Sequence, residues 1–127
     1  MNDTIFMAHS GLRYLVLLAA VVAIVTAAMG LRAAGPSSKA ERVAGAVFAG
    51  VLDLQVLLGI VLLTMWPFYA QLIGHITMMV AAAAAVHMGS VVARRREAQA
   101  SKYRLIGYVA GLVAIIGGIL AIQRPIL

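Results

Sequence analysis

The sequence predicts an all-α protein, a bundle of four transmembrane helices. Three observations carry that prediction. Hydrophobic residues make up 64% of the chain and charged residues 11%, against roughly 25% charged in soluble domains. The mean hydropathy is +1.03. The apolar residues also fall into four runs, each near the ~20 residues that a bilayer-spanning helix needs. These runs cover about residues 5–31, 43–66, 70–93 and 105–122. They are too long and too uniformly apolar for barrel strands, and hydrocarbon tolerates only helices or closed barrels. Four spans use most of the chain, so residues 1–127 read as one integral membrane domain.

Span one follows Asn2, Asp3 and Thr4, whose side chains suit a helix start. It carries His9 and Arg13, four residues apart and therefore on one face. Arg13 is long enough to snorkel to the interface. Ala19, Ala23 and Ala27 recur every four residues and permit close helix contact. The run does not read as a cleavable signal peptide: it is too long for an h-region and lacks a basic n-region. Gly35-Pro36-Ser37-Ser38 is a turn signal.

Span two carries Asp53 and Gln55, which a helix turns to different neighbours, about 200° apart. Ala46, Ala49 and Gly50 flank Asp53 at helical spacings and predict that its face packs against another helix. A buried carboxylate needs a cation, a donor or a proton. His87, an arginine or a group on another subunit would serve. Trp66, Phe68 and Tyr69 suit an interfacial aromatic belt, and Pro67 interrupts the helix. The short link to span three predicts antiparallel packing of spans two and three.

Span three holds His75 and His87, two of the three histidines in the chain. Ionisable groups inside a membrane helix are costly and mark function by default. The two lie roughly 18 Å apart along one helix axis, so each needs a partner elsewhere. His75 and His9 lie at similar depth on helices that run in the same direction. Span four presents Gly107, Gly111, Ala114, Gly118 and Ala121 as one stripe with a GxxxG spacing, a packing face.

Charge sets the orientation. Arg32, Lys39 and Arg42 separate spans one and two; Arg94, Arg95, Arg96, Lys102 and Arg104 separate spans three and four. Eight of the ten basic residues thus sit on one side. That pattern predicts cytoplasmic basic loops and outward termini. The +6 net charge therefore reads as topology and headgroup contact, not as nucleic-acid binding. The Arg94–Arg96 run is a topology anchor first and a partner site second.

Absence of cysteine excludes disulfides, thiolate catalysis, iron–sulfur ligation and c-type haem attachment. No phosphate loop, dinucleotide fingerprint or HExxH motif occurs. The remaining chemistry is that of histidine. Two imidazoles on facing helices can ligate a b-type haem from both sides. His9 and His75 are the expected axial ligands. Arg13 is placed to pair with a propionate, and Met79, with Met78, to line the ring or substitute as a ligand. Copper or zinc at the same pair and a structural or proton-handling role are the alternatives. His87 has no second histidine at its depth within one protomer; a homodimer would supply one.

The stretch His9-Ser10-Gly11-Leu12-Arg13-Tyr14-Leu15-Val16-Leu17 resembles the start of small bacterial four-span membrane proteins loosely labelled cytochrome b-like. Gln55-Val56-Leu57-Leu58-Gly59, Gly74-His75-Ile76-Thr77-Met78-Met79 and His87 before the basic loop are similar to their later segments. The likeness covers most of the chain in order, with the first stretch the distinctive one. It implies a four-helix bundle and haem ligation by His9 and His75. That pattern has a histidine where this chain has Asp53, which argues against a ligand on span two.

The expected function is that of a membrane b-type haem protein or cytochrome-like subunit in electron transfer, in a bacterial inner membrane. A quinol donor is compatible, although no residue pattern identifies its pocket. The alternatives are an accessory subunit of a larger respiratory or photosynthetic membrane complex, and a small proton-coupled transporter that uses Asp53. Whether the chain is an enzyme stays open at this point.

Overall fold

The computed structural model describes residues 3–33, 36–65 and 70–122. It is all-α: α1 spans Asp3–Ala33, α2 Lys39–Leu63, α3 Gln71–Arg95 and α4 Ala100–Ala121. A single 3₁₀ turn, Glu97–Gln99, joins α3 to α4. All four helices are long and apolar enough to cross a membrane. The features expected at Asn2, at Gly35 and at Trp66-Pro67-Phe68-Tyr69 lie outside the described residues.

The helices overrun the apolar windows at their charged ends. α2 begins at Lys39 rather than near Val43, because Ser38 caps it. Ser38 has extended backbone, and its Oγ accepts from the Glu41 amide at 3.1 Å. α3 continues through Arg94 and Arg95. Charges end an apolar window without ending a helix, and basic groups in the last turn favour the negative end of the dipole.

Contacts between helix ends fix the directions. The start of α1 meets the end of α2, where His9 approaches Gly59. The end of α1 meets the starts of α2 and α4, where Gly30 approaches Glu41 and Ser101. His75, early in α3, meets Gly118, late in α4. Successive helices therefore alternate in direction. The bundle has a basic end, where α2 and α4 start, and a histidine end, where α1 and α3 start.

Packing follows the small residues. Lipid tails are as apolar as leucine, so close packing rather than hydrophobic burial holds membrane helices together. Ala19, Ala20, Ala23 and Ala27 of α1 are buried. Gly107 of α4 lies so close to α3 that a Cβ there would stand 2.7 Å from the Ala85 carbonyl oxygen and 3.1 Å from Gly89 Cα. The stripe on α4 therefore closes the bundle internally. Larger residues fill the centre: Phe48 and Tyr108, both fully buried, meet edge to face at 5.7 Å. The outward faces carry Leu18, Leu57, Val80 and Val113, as a lipid-facing surface requires.

One expectation is corrected. α1 lies along α2 and α4, and α3 lies along α4, but α2 and α3 touch only thinly. The short link constrains their ends. The glycine stripe draws α3 onto α4 instead, and a gap is left on the α2–α3 side.

Candidate functional site

A cavity of about 610 Å³ opens in the histidine half of the bundle, with walls from all four helices. Its volume is that of ordinary small-molecule sites, roughly 300–1,000 Å³. Most of the wall is aliphatic: Val16, Leu52, Val56, Ile76, Ile115 and Ile119 contribute. The polar lining is His9, Ser10, Arg13, Gln55 and His75. Three stretches distant in sequence, on α1, α2 and α3, thus bring their polar residues into one chamber.

His9 is held by α2. Its main-chain carbonyl accepts from Gln55 Nε2 at 2.7 Å. Gly59 leaves room for the ring: a Cβ there would stand 3.3 Å from His9 Cε1. A helix-interior carbonyl that accepts a second bond from a side chain pins α2 to α1 at this depth.

His75 is held by α4. Its Nδ1 lies 2.8 Å from the Gly118 carbonyl oxygen. A carbonyl only accepts, so Nδ1 carries the proton and donates. In the neutral ring Nε2 is then the acceptor, with its lone pair free for a ligand. Fixing the tautomer through the other nitrogen is how metal-binding histidines are oriented. Glycine at 118 leaves room for this approach: a Cβ there would stand 3.2 Å from Met78 Cβ and 3.5 Å from His75 Nδ1.

The His9 and His75 rings lie with centroids 6.4 Å apart and planes at 86°. Arg13 stands one turn further along α1. Its Nη1 donates to Ser10 Oγ at 3.3 Å and its Nη2 to the Tyr14 hydroxyl at 2.6 Å. The guanidinium carbon is 4.5 Å from the Tyr14 ring centroid. Three buried atoms around the cavity have no hydrogen-bond partner: His9 Nδ1, Arg13 Nε and Gln55 Oε1. Each such atom costs about 1–3 kcal/mol when left unsatisfied. Gln55 uses its amide nitrogen on His9, so its oxygen is the group left over.

Met79 lines the cavity. Met78 does not; its methyl lies against Gly117 of α4. Among the described residues no cluster of three or more His, Cys, Asp or Glu side chains could hold a metal ion.

Asp53 and His87 form a separate site. His87 Nε2 lies 2.9 Å from Asp53 Oδ1 and 3.0 Å from Oδ2, joining α2 to α3 across the gap. The partner is one that sequence spacing allowed. The surroundings are not as expected: Asp53 and His87 are about half exposed, at 52% and 50%. Ala46 and Gly50 are also exposed, and a Cβ at Gly50 would meet nothing within 4 Å. That face is not covered by another helix of the chain.

The residue that sequence reasoning missed is Glu41. It is fully buried where α1, α2 and α4 meet. Ser101 Oγ donates to its Oε1 at 2.7 Å, and Ser37 Oγ and Arg104 Nη1 reach Oε2, each at 3.2 Å. Arg104 also donates to Ser37 Oγ at 2.5 Å, and Arg42 bonds the Ser37 carbonyl. The sequence signal was a serine three residues before a glutamate, the form of a capping box. Here the glutamate reaches across to α4. Ser101, in the first turn of α4, belongs to this buried network. The network satisfies a carboxylate with three donors from two segments, the α1–α2 link and α4, and ties the basic end together.

No family model, curated protein or solved structure matches this chain. Its site is therefore read from its own geometry.

Proposed function

We propose that the chain is a membrane b-type haem protein of the cytochrome b-like kind, with His9 and His75 as axial ligands and electron transfer as its role. The observation that carries this is the histidine pair. Two imidazoles that each reached one iron at about 2 Å would have ring centroids roughly 6 Å apart. The observed separation is 6.4 Å. The donor set favours haem over a bare ion. Two imidazoles fall short of the four ligands that zinc usually takes, whereas a porphyrin needs only axial ones.

The chain's own residues divide the work. His75 presents Nε2 because Gly118 holds the proton on Nδ1. Gln55 fixes the turn of α1 that carries His9. Arg13, with an unpartnered Nε, neutralises a carboxylate at the edge of the cavity. Aliphatic residues from four helices exclude water. When bound there, haem supplies a one-electron couple tuned by its ligands and by burial. A quinol from the bilayer fits the same reading as electron donor.

Positive-inside charge supports an inner-membrane, multi-pass protein with both termini outside and the basic end in the cytoplasm. A reduced-minus-oxidised visible spectrum of the purified protein tests the function. A b-type absorbance is the expected result. A colourless protein overturns the reading in favour of an accessory subunit in a larger membrane complex.

A further inference from the structure

We propose that the α2–α3 face is a homodimer interface, in which the Asp53–His87 pair of one copy meets the same pair of a second. The first observation is a polar pair in the wrong solvent. Asp53 stands about 15 Å from the end of α2 and His87 about 12 Å from the end of α3, well inside a hydrocarbon core roughly 30 Å thick. Both side chains are about half exposed there. Other outward positions at such depths carry Leu18, Val21, Val109 and Val113. The pair is joined through His87 Nε2. That leaves Nδ1 and the outer carboxylate lone pairs to be satisfied from outside the chain. Lipid tails offer neither donors nor acceptors.

The second observation is open space beside that pair. Ala46 and Gly50 lie seven and three residues before Asp53 on the same helix face, both exposed. A Cβ on Gly50 meets nothing within 4 Å. Small residues of this kind let another helix backbone approach closely. Within the chain nothing uses that room, in contrast to the glycines of α4, which are all spent on α3.

Charge complementarity selects the occupant. A two-fold interface places one patch against its own copy, so the patch must complement itself. As an ion pair, the His87 ring carries a proton on both nitrogens: Nε2–H faces its own Asp53 and Nδ1–H is left as a donor beside a carboxylate acceptor. Rotation by the two-fold sets each copy's donor toward the other copy's acceptor. Four groups then form one closed polar cluster, shielded from lipid by Ala46, Gly50 and their mates.

The chain has no cysteine, so single-cysteine cross-linking is clean. Ala46→Cys and Gly50→Cys are oxidised in native membranes, with Val113→Cys on α4 as control. A disulfide-linked dimer from position 46 or 50, and none from 113, is the expected result. In detergent, the unmodified protein should sediment as a dimer. The double variant Asp53→Leu/His87→Leu, which leaves no unpaired charge, should associate about tenfold more weakly, from the loss of interhelical hydrogen bonds in both copies. Equal cross-linking at 50 and 113, a monomeric unmodified protein, or dimers indifferent to the double substitution would each overturn the proposal. A monomer held instead by a different membrane protein overturns it as well. None of these readouts depends on what the cavity binds.

Discussion

Gln55 donates its side-chain amide to the main-chain carbonyl of His9 across 46 positions of sequence, at 2.7 Å. The bond sets the height of α1 against α2 and so the depth of the His9 ring in the cavity. Gln55→Leu keeps the volume and removes the donor. Interhelical hydrogen bonds in membranes contribute about 0.6–1.7 kcal/mol, so a loss near 1 kcal/mol is expected. Thermal unfolding in detergent should show a lower midpoint. An unchanged midpoint would mean that the bond does not hold the two helices together.

At the opposite end, Glu41 and Arg104 are a buried ion pair rather than a surface one, with side-chain exposures of 0% and 11%. Arg104→Met removes the cation and leaves the buried carboxylate with only the Ser37 and Ser101 hydroxyls. Breaking a buried pair on one side costs about 3–5 kcal/mol. Adding Glu41→Gln to that variant removes the stranded charge and should recover a large part of the loss. Chemical denaturation of the three proteins measures both steps. Equal stability of the single and double variants would contradict the pair's role.

Much of the fold was legible in the sequence because its rules are local. Apolar length gives a span, and Gly107, Gly111 and Gly118 give a close packing face. Two things were not legible, both set by distant contacts. Glu41 reads locally as a first-turn acid, which normally faces water; only the return of Ser101 and Arg104 sixty residues later buries it. The thin α2–α3 contact is a competition, in which the stripe on α4 outweighs the short link. Of the cavity, the depth match of His9 and His75 could be read from direction and position. The roles of Gln55, Gly59 and Gly118 could not, since each acts through the backbone of another helix or through space it leaves open.

Two glycines on exposed and buried faces should answer oppositely to alanine. At Gly107 the new methyl meets the Ala85 carbonyl and the Gly89 backbone, which cannot move aside without parting α3 from α4. Overpacking of this kind costs about 1–3 kcal/mol. At Gly11 nothing lies within 4 Å, and alanine is the better helix former by roughly 1 kcal/mol. Gly107→Ala should lower the unfolding midpoint while Gly11→Ala leaves it unchanged or raises it. A tolerated Gly107→Ala would place the α3–α4 contact further apart than described.

Orientation is tested at exposed positions outside the buried Glu41 network. Lys39→Cys and Gln99→Cys lie at the basic end, Gln71→Cys at the histidine end. The proposed orientation puts the first end, with eight of the ten basic residues, in the cytoplasm. An impermeant thiol reagent added to intact cells should label position 71 and spare 39 and 99. The reverse pattern would invert the topology and move the cavity to the cytoplasmic half.

The histidines can be separated by spectrum. His9 and His75 face one cavity with rings 6.4 Å apart, while His87 is committed to Asp53 on the outer surface of α2 and α3. On the proposed haem reading, His9→Ala and His75→Ala should each abolish or strongly shift a low-spin haem spectrum. His87→Ala should leave it unaltered. Added imidazole should restore part of the signal in the alanine variants, since the vacated ring leaves room in a cavity of about 610 Å³. Rescue separates a ligand from a residue that merely packs. A spectrum indifferent to both outer substitutions would exclude this pair as the axial ligands. Loss on His87→Ala alone would move the iron to the α2–α3 face, where Asp53 now holds the ring.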